Sequence, residues 1–564
     1  MSFLGSGALT NMARWTSFRH YCRRSAALSL SSTQRLIAYL GAISAASVGT
    51  DVQARADVAD DPPAWSTIDQ PRNFGMVTST SSGAASPAGS AKASDKLAAA
   101  SPPPSLADLD KIYGIKGWNI RPPSFGDTLT QDYGGWRSSL ASMGIALIEY
   151  NFSRFQTNIL DTPRTGPTVN PFYKSSQTYW GQKPSFNNIS FMYLIFDLSR
   201  FGVPDGQLQL SAVNAFATWQ SFTPNSTAMN TLAYYQTLFN QRIEVKFGIL
   251  PNQGEFVGQS VGGTFASTTG PSGSIISQLG MPAAPASTPS FRVTVHLTDS
   301  VYNQTGVMRS LVVNGTTGNV FFDTHALNPT NLRWNVNTSS YSSTAEIGAP
   351  GTRELFVNEI GYRREATPTS LYSWARFGAM YNNSTFHDLT KSVANGGLVR
   401  GPVGPTKEGD SAFYFLADQQ LWQFASSSPG TAGRGLYAGV TAMYAEPQTT
   451  SVTQYYEGRL YSKGPFDSRP TDLASLVVYY QVNSPYLVAN LDTLKDQGTY
   501  GARYSWSATL SYLAHVIPGV YAGVGLSYTK NPSGASFFGP SKANPLQPFQ
   551  GDALNFQANV YTLF

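Results

Sequence analysis

The chain of 564 residues contains a single cysteine, Cys22, and it lies near the start. Past that point neither a disulfide framework nor thiol chemistry can be built. Histidine is almost as scarce: beyond His20 only His296, His325, His387 and His515 occur, scattered without metal-ligand spacing. No metal site is expected, and nothing calls for a cofactor. Charge is also thin, 13% of residues against about a quarter in ordinary soluble domains. Yet after the first 56 residues no run approaches the roughly 20 apolar residues that a membrane helix needs. The apolar side chains are dispersed: aromatics make up 13%, Gly 51 residues and Tyr 30, with a mean hydropathy of -0.19. A strand wall with lipid on one side and water on the other spreads its greasy residues one in two and averages to such a value.

The N-terminus carries Arg14, Arg19, Arg23, Arg24 and Arg35, then an apolar run from Leu36 to Val48, then Ala54-Arg55-Ala56. This is the order of a secretory signal peptide, expected over residues 1–56, with Met12 as an alternative start. Removing its six arginines and one aspartate leaves 32 basic and 32 acidic residues, so the basic excess of the whole chain predicts no nucleic-acid partner. Residues 57–105 are expected to form a linker. From Thr78 to Ser105 it consists almost wholly of Ala, Ser, Pro, Gly and Thr, too little apolar surface to offset chain entropy. Residues 106–126 form a pre-barrel segment, and residues 127–564 remain for the wall.

The last eleven residues set the pattern. Leu554, Phe556, Ala558, Val560 and Phe564 alternate with Asn555, Gln557 and Asn559, over the length of a tilted strand crossing a bilayer. Tyr504, Trp506, Ala508, Leu510 and Tyr512 alternate with serines and threonine in the same way. The Pro518-Gly519 turn follows, then Val520, Ala522, Val524, Leu526 and Tyr528. Leu436 to Tyr444 and Ala474 to Val482 repeat it. Residues 259–350, rich in Gly, Ser, Thr, Asn and Pro, are expected to hold long outer loops, some folding inward. At about 27 residues per strand and loop, residues 127–564 accommodate about sixteen strands. The fold class is all-β, a transmembrane antiparallel β-barrel, with a short helix over Trp136–Met143 closed by Gly144.

Asp132-Tyr133-Gly134-Gly135-x-Arg137-x-x-Leu140-Ala141-x-x-Gly144-Ile145 resembles the opening of the carbohydrate-selective porins of the OprB family. Glu359-Ile360-Gly361-Tyr362-Arg363 with Trp374 to Tyr381 resembles a strand pair of that family. Ala417-Asp418-Gln419-Gln420-Leu421-Trp422, Gly435-Leu436-Tyr437, Ala445-Glu446-Pro447 and Lys463-Gly464-Pro465 follow in the family's order. Two departures stand out: Arg154-Phe155 replaces an expected glutamate, and Phe466 to Asp472 replaces an acid-rich turn. The resemblance implies a sixteen-stranded outer-membrane porin that passes small neutral carbohydrates and is not an enzyme. It also implies partners in outer-membrane lipid and in an assembly machinery reading the terminal Phe564.

A lumen acts through what lines it. Arg242, Glu244 and Lys246 share one strand parity, and Glu457, Arg459 and Lys463 another. With Glu149, Glu359, Arg376 and Asp418 they are the candidate lumen charges. Both signs together suit a hydroxyl-rich neutral solute, which donates and accepts hydrogen bonds. Tyr372, Trp374 and Trp422 are candidate stacking surfaces for sugar rings. Two rival readings come from other classes. A secreted carbohydrate-binding β-sandwich shares the alternation but needs far fewer strands per domain. Gly258-Gln259-Ser260-Val261-Gly262 fits a hydrolase nucleophile pattern but precedes a Gly/Ser-rich run instead of a helix. Within porins, a general diffusion channel is the alternative.

Overall fold

The computed structural model describes residues 105–118, 124–160, 181–218, 226–257, 275–283, 287–310, 332–335, 340–343, 353–391, 406–424, 432–492, 501–532 and 552–564. The expected signal peptide and nearly all of the linker lie outside these residues, as does the Gly258–Gly262 pattern.

The strands are β1 Ile145–Asn158, β2 Ser185–Asp197, β3 Gln207–Ala217, β4 Ser226–Leu238, β5 Ile243–Leu250, β6 Thr288–His296, β7 Val301–Arg309, β8 Leu332–Asn335 and β9 Ser340–Ser343. They continue with β10 Glu354–Arg364, β11 Ser373–His387, β12 Thr406–Gln423, β13 Gly435–Ala445, β14 Val452–Lys463, β15 Leu473–Asn483, β16 Tyr504–Ile517, β17 Val520–Lys530 and β18 Ala553–Leu563. Every pairing is antiparallel and runs to the next strand, except that β7 pairs β10 and β8–β9 form a side hairpin on β4. β18 returns to β1, from Tyr150↔Leu563 to Asn158↔Asn555. Sixteen strands therefore close a barrel with no free edge, satisfying the backbone within the wall.

The wall is inside-out relative to a soluble protein. Val524 is 52% exposed, Leu526 45% and Val560 43%, whereas the intervening Ser527 and Asn559 are buried. Alternate residues of β10 to β18 thus put Phe, Leu, Val and Tyr outward and Ser, Thr, Asn, Gln and charged groups inward. β1 corrects one expectation. Ala146, Ile148 and Tyr150 face inward and pack with Tyr113, Ile115 and Phe125 of the N-terminal segment. Glu149, Asn151 and Ser153 therefore point outward, where Asn151 and Ser153 hydrogen-bond to Asn188 and Ser190 of β2.

β6 and β7 lie within 259–350, a stretch the sequence suggested was mostly loop. Between β5 and β6 the connection folds into the barrel: Phe256, Val257, Ile275, Ile276, Leu279 and Met281 pack on Met308, Leu355, Val357 and Met380 of the inner wall. At the other rim a helix over Leu106–Tyr113 begins with a reciprocal cap between Ser105 and Asp108, and the expected helix spans Trp136–Ser142. Gly519 turns β16 into β17 at φ 77, where a Cβ would lie 2.3 Å from the Leu129 nitrogen. Only glycine fits there.

Candidate functional site

The inner wall from β5 to β14 carries ionised and hydroxyl groups in a continuous belt. Antiparallel register places Lys246 of β5 beside Arg292 of β6, both inward. The Lys246 ammonium lies 2.7 Å from Glu255, which the folded-in connection supplies, and the Arg292 guanidinium lies 3.2 Å from Glu244 and 3.7 Å from Glu255. His296 closes on Glu244 at 2.9 Å. Two carboxylates thus hold two cations in water-excluded space, which makes each charge tolerable.

Next around the belt, Glu359 of β10 accepts hydrogen bonds from the Tyr302 and Tyr414 hydroxyls, each at 2.8 Å. Small neighbours make that possible. A Cβ on Gly361 would sit 2.2 Å from the Tyr302 ring, and one on Gly378 would sit 2.0 Å from the Tyr414 ring. The Glu-x-Gly order of β10 is therefore a packing requirement of the lumen. Trp374 of β11 donates its indole N–H to the Tyr302 hydroxyl at 3.2 Å, and Arg376 lies 3.5 Å above the indole centroid. Farther on, Arg459 of β14 bridges Asp418 of β12 at 3.1 Å and Glu457 at 2.7 Å, while the Tyr461 hydroxyl donates to Asp418 at 3.2 Å. Gly439, between them on β13, has no side chain because a Cβ would meet Asp418 Oδ1 at 2.3 Å.

Across the lumen hydroxyls and amides dominate the wall from β15 to β18, with Arg154 of β1 facing inward beside Tyr561. Ser475–Ser511 and Ser507–Ser527 pair across β15, β16 and β17 at 2.7 and 2.9 Å. Inward Asn555, Gln557 and Asn559 of β18 continue this hydroxyl and amide surface.

Eight of the eleven candidate lumen residues thus lie on the inward face: Glu244, Lys246, Glu359, Trp374, Arg376, Asp418, Glu457 and Arg459. Three do not belong to that wall. Glu149 faces outward beside Met192, itself 49% exposed. Arg242 is exposed in the turn between β4 and β5, just before β5 begins at Ile243. Trp422 is 68% exposed because the register slips between Gln420 and Trp422, so that Trp422 pairs with outward Leu436. A bulge reverses the parity of every residue after it. Tyr372 is buried beside Tyr437, and the Lys463 ammonium lies 5.2 Å from the Tyr437 ring.

Sequence reasoning missed Glu255, Arg292, Tyr302 and Tyr414. The signal for Arg292 was present, since Phe291, Val293 and Val295 alternate with Arg292 and Thr294. Glu255 had none, because it belongs to an irregular connection placed only by tertiary packing.

The chain is similar to solved barrels. Pseudomonas putida OprB at high pH aligns over 78% of this chain and 99% of its own, at 17% identity and a TM-score of 0.58. The low-pH form aligns at 14% identity over 78% and 98%, with a TM-score of 0.43. OmpT of Vibrio cholerae aligns at 10% over 75% and 98%, with a TM-score of 0.36. The high-pH alignment supports the shared barrel fold. No curated protein matches the chain. Residues 153–544 match the family described as "Carbohydrate-selective porin, OprB family", well over half of the sequence. A closed sixteen-stranded wall, apolar outside and hydrogen-bonding inside, is the architecture that match requires, and the chain belongs to the carbohydrate-selective porin, OprB family.

Proposed function

We propose that this outer-membrane porin lets small neutral sugars diffuse into the periplasm along the belt formed by Glu244, Lys246, Glu359, Trp374, Arg376, Asp418, Glu457 and Arg459, and that it carries out no catalysis. The observation that carries this reading is the balance of the belt. Lys246 pairs with Glu255, Arg292 with Glu244, and Arg459 with both Asp418 and Glu457. With its cations and anions paired, the wall gives the passage no dominant sign, which favours neutral hydroxyl-bearing solutes over ions. The serine, threonine and amide surface across the lumen offers such solutes donors and acceptors. Outward Val524, Leu526, Phe556 and Val560 suit a lipid partner, and the terminal Phe564, held to Glu149 by backbone hydrogen bonds of 2.7 and 3.0 Å, suits recognition by an assembly machinery.

Swelling of liposomes containing the protein tests the selectivity. Glucose is expected to enter faster than cationic or anionic solutes of equal size. Equal rates would leave a general diffusion porin and sink the carbohydrate reading.

A further inference from the structure

Past the helix Leu106–Tyr113 the N-terminal segment enters the lumen. The Lys116 N–H donates to Gln207 Oε1 of β3 at 3.1 Å, and the Lys116 carbonyl accepts from Gln209 Nε2 at 3.0 Å and Lys246 Nζ at 3.2 Å. The Gly117 carbonyl accepts from Arg292 Nη1 at 2.6 Å. Gly117 has φ +79, and a Cβ there would come within 2.6 Å of the Arg292 guanidinium, so the backbone can lie this close only without a side chain. Peptide oxygens therefore occupy donors of the same two cations that pair with Glu244 and Glu255.

Trp118 comes next. Its ring stands edge-on to Tyr193 of β2, 5.7 Å between centroids at 88°, with the Lys246 ammonium 5.9 Å from its centre. It also packs on Gly254 of the folded-in connection, where a Cβ would lie 3.7 Å from the indole. Strand β2, strand β5 and the inserted connection thus converge on one half-buried indole. Its N–H is buried and has no acceptor among the described residues. Residues 114–118 also precede the 153–544 match, so the family alone assigns them nothing.

We propose that Trp118 is a size-selecting residue of this porin. Held by the Lys116–Gly117 backbone, its rigid plane narrows the passage on the side of β2 to β6. This rests on the sugar-passage reading above.

The test uses the full chain, carrying Cys22→Ser, in liposomes. Trp118→Cys is expected to raise the swelling rate for a disaccharide relative to a monosaccharide several-fold. Coupling a benzyl thiosulfonate reagent to the introduced thiol is expected to bring the ratio back. Trp118→Phe is expected to keep the ratio, since it retains a rigid plane. A ratio unmoved by both Trp118→Cys and its benzylation, in protein whose heat-dependent gel mobility shows a folded barrel, overturns the proposal. If the unsubstituted protein passes charged solutes as fast as sugars, the carbohydrate reading fails instead, whatever the ratio does.

Discussion

Asp132 shows how a family motif becomes a physical device. Its carboxylate accepts from the Arg137 N–H at 2.8 Å, the Ser138 N–H at 3.1 Å and the Ser138 hydroxyl, so it caps the Trp136–Ser142 helix. Gly134 and Gly135, at φ 70 and 72, make the turn that brings it there. Arg137 in turn donates to the carbonyls of Gln131 and Leu147, each at 2.6 Å, and stacks on Trp136. Burial lowers the Arg137 pKa to about 10, against the pull of Asp132 and Asp110. For Asp132 burial acts upward, but the hydrogen bonds from Ser138 and Arg137 outweigh it and lower its pKa. Since the folded value lies below the unfolded one, near 3.9, this stabilisation is fully present above about pH 4 and is lost as pH falls through the folded value. Asp132→Ala is therefore expected to cost about 0.5–2 kcal/mol at neutral pH, as for a lost cap. In urea titrations its gap from the parent should narrow on acidification; a gap constant from pH 7 to 2 would contradict the assignment. At Arg459 the expected loss is larger. Arg459→Leu strands Asp418 and Glu457 in the lumen wall, and about 3–5 kcal/mol of stability should disappear in the same titration. An unchanged midpoint would mean that water reaches both carboxylates.

For a strand, parity decides the effect of a substitution. On β17 Val524 faces out and Gly525 faces in, so Val524→Asp is expected to lower the yield of folded barrel, at a cost of up to about 2–4 kcal/mol, a range set by Arg and Lys at mid-bilayer. Gly525→Ser should be tolerated. Equal yields from the two, read by heat-dependent gel mobility, would contradict the wall's orientation. Parity was legible wherever alternation ran unbroken, as in β16, β17 and β18. It failed at Trp422 because a bulge leaves no mark in the residue pattern, and at Arg242 because β5 begins only at the next residue, Ile243. It failed at Glu149 for a different reason. The N-terminal segment fills the lumen beside β1, so the greasy face of that strand turns inward to meet Tyr113 and Phe125, and the polar face is left outside. β6 and β7 were obscured by their Gly- and Ser-rich surroundings, although Phe291, Val293 and Val295 carry the alternation.

Across the whole molecule the distribution of polarity is the organising fact. Val524, Phe556 and Val560 are exposed while Lys246, Glu359 and Asp418 are buried, the reverse of a soluble sandwich. Composition anticipated that inversion, because low charge without long apolar runs is hard to satisfy otherwise. It could not anticipate what fills the lumen. The connection from β5 to β6 and the Gly114–Trp118 segment are placed by tertiary contacts with side chains far off in sequence.

The seam between β1 and β18 has a further consequence. The Leu554 N–H donates to Asn158 Oδ1 across a separation of 396 residues. The earliest strand therefore has no permanent neighbour on one flank until the final one has emerged, and it must be sheltered throughout export. Ring formation is consequently contingent on β18 reaching β1.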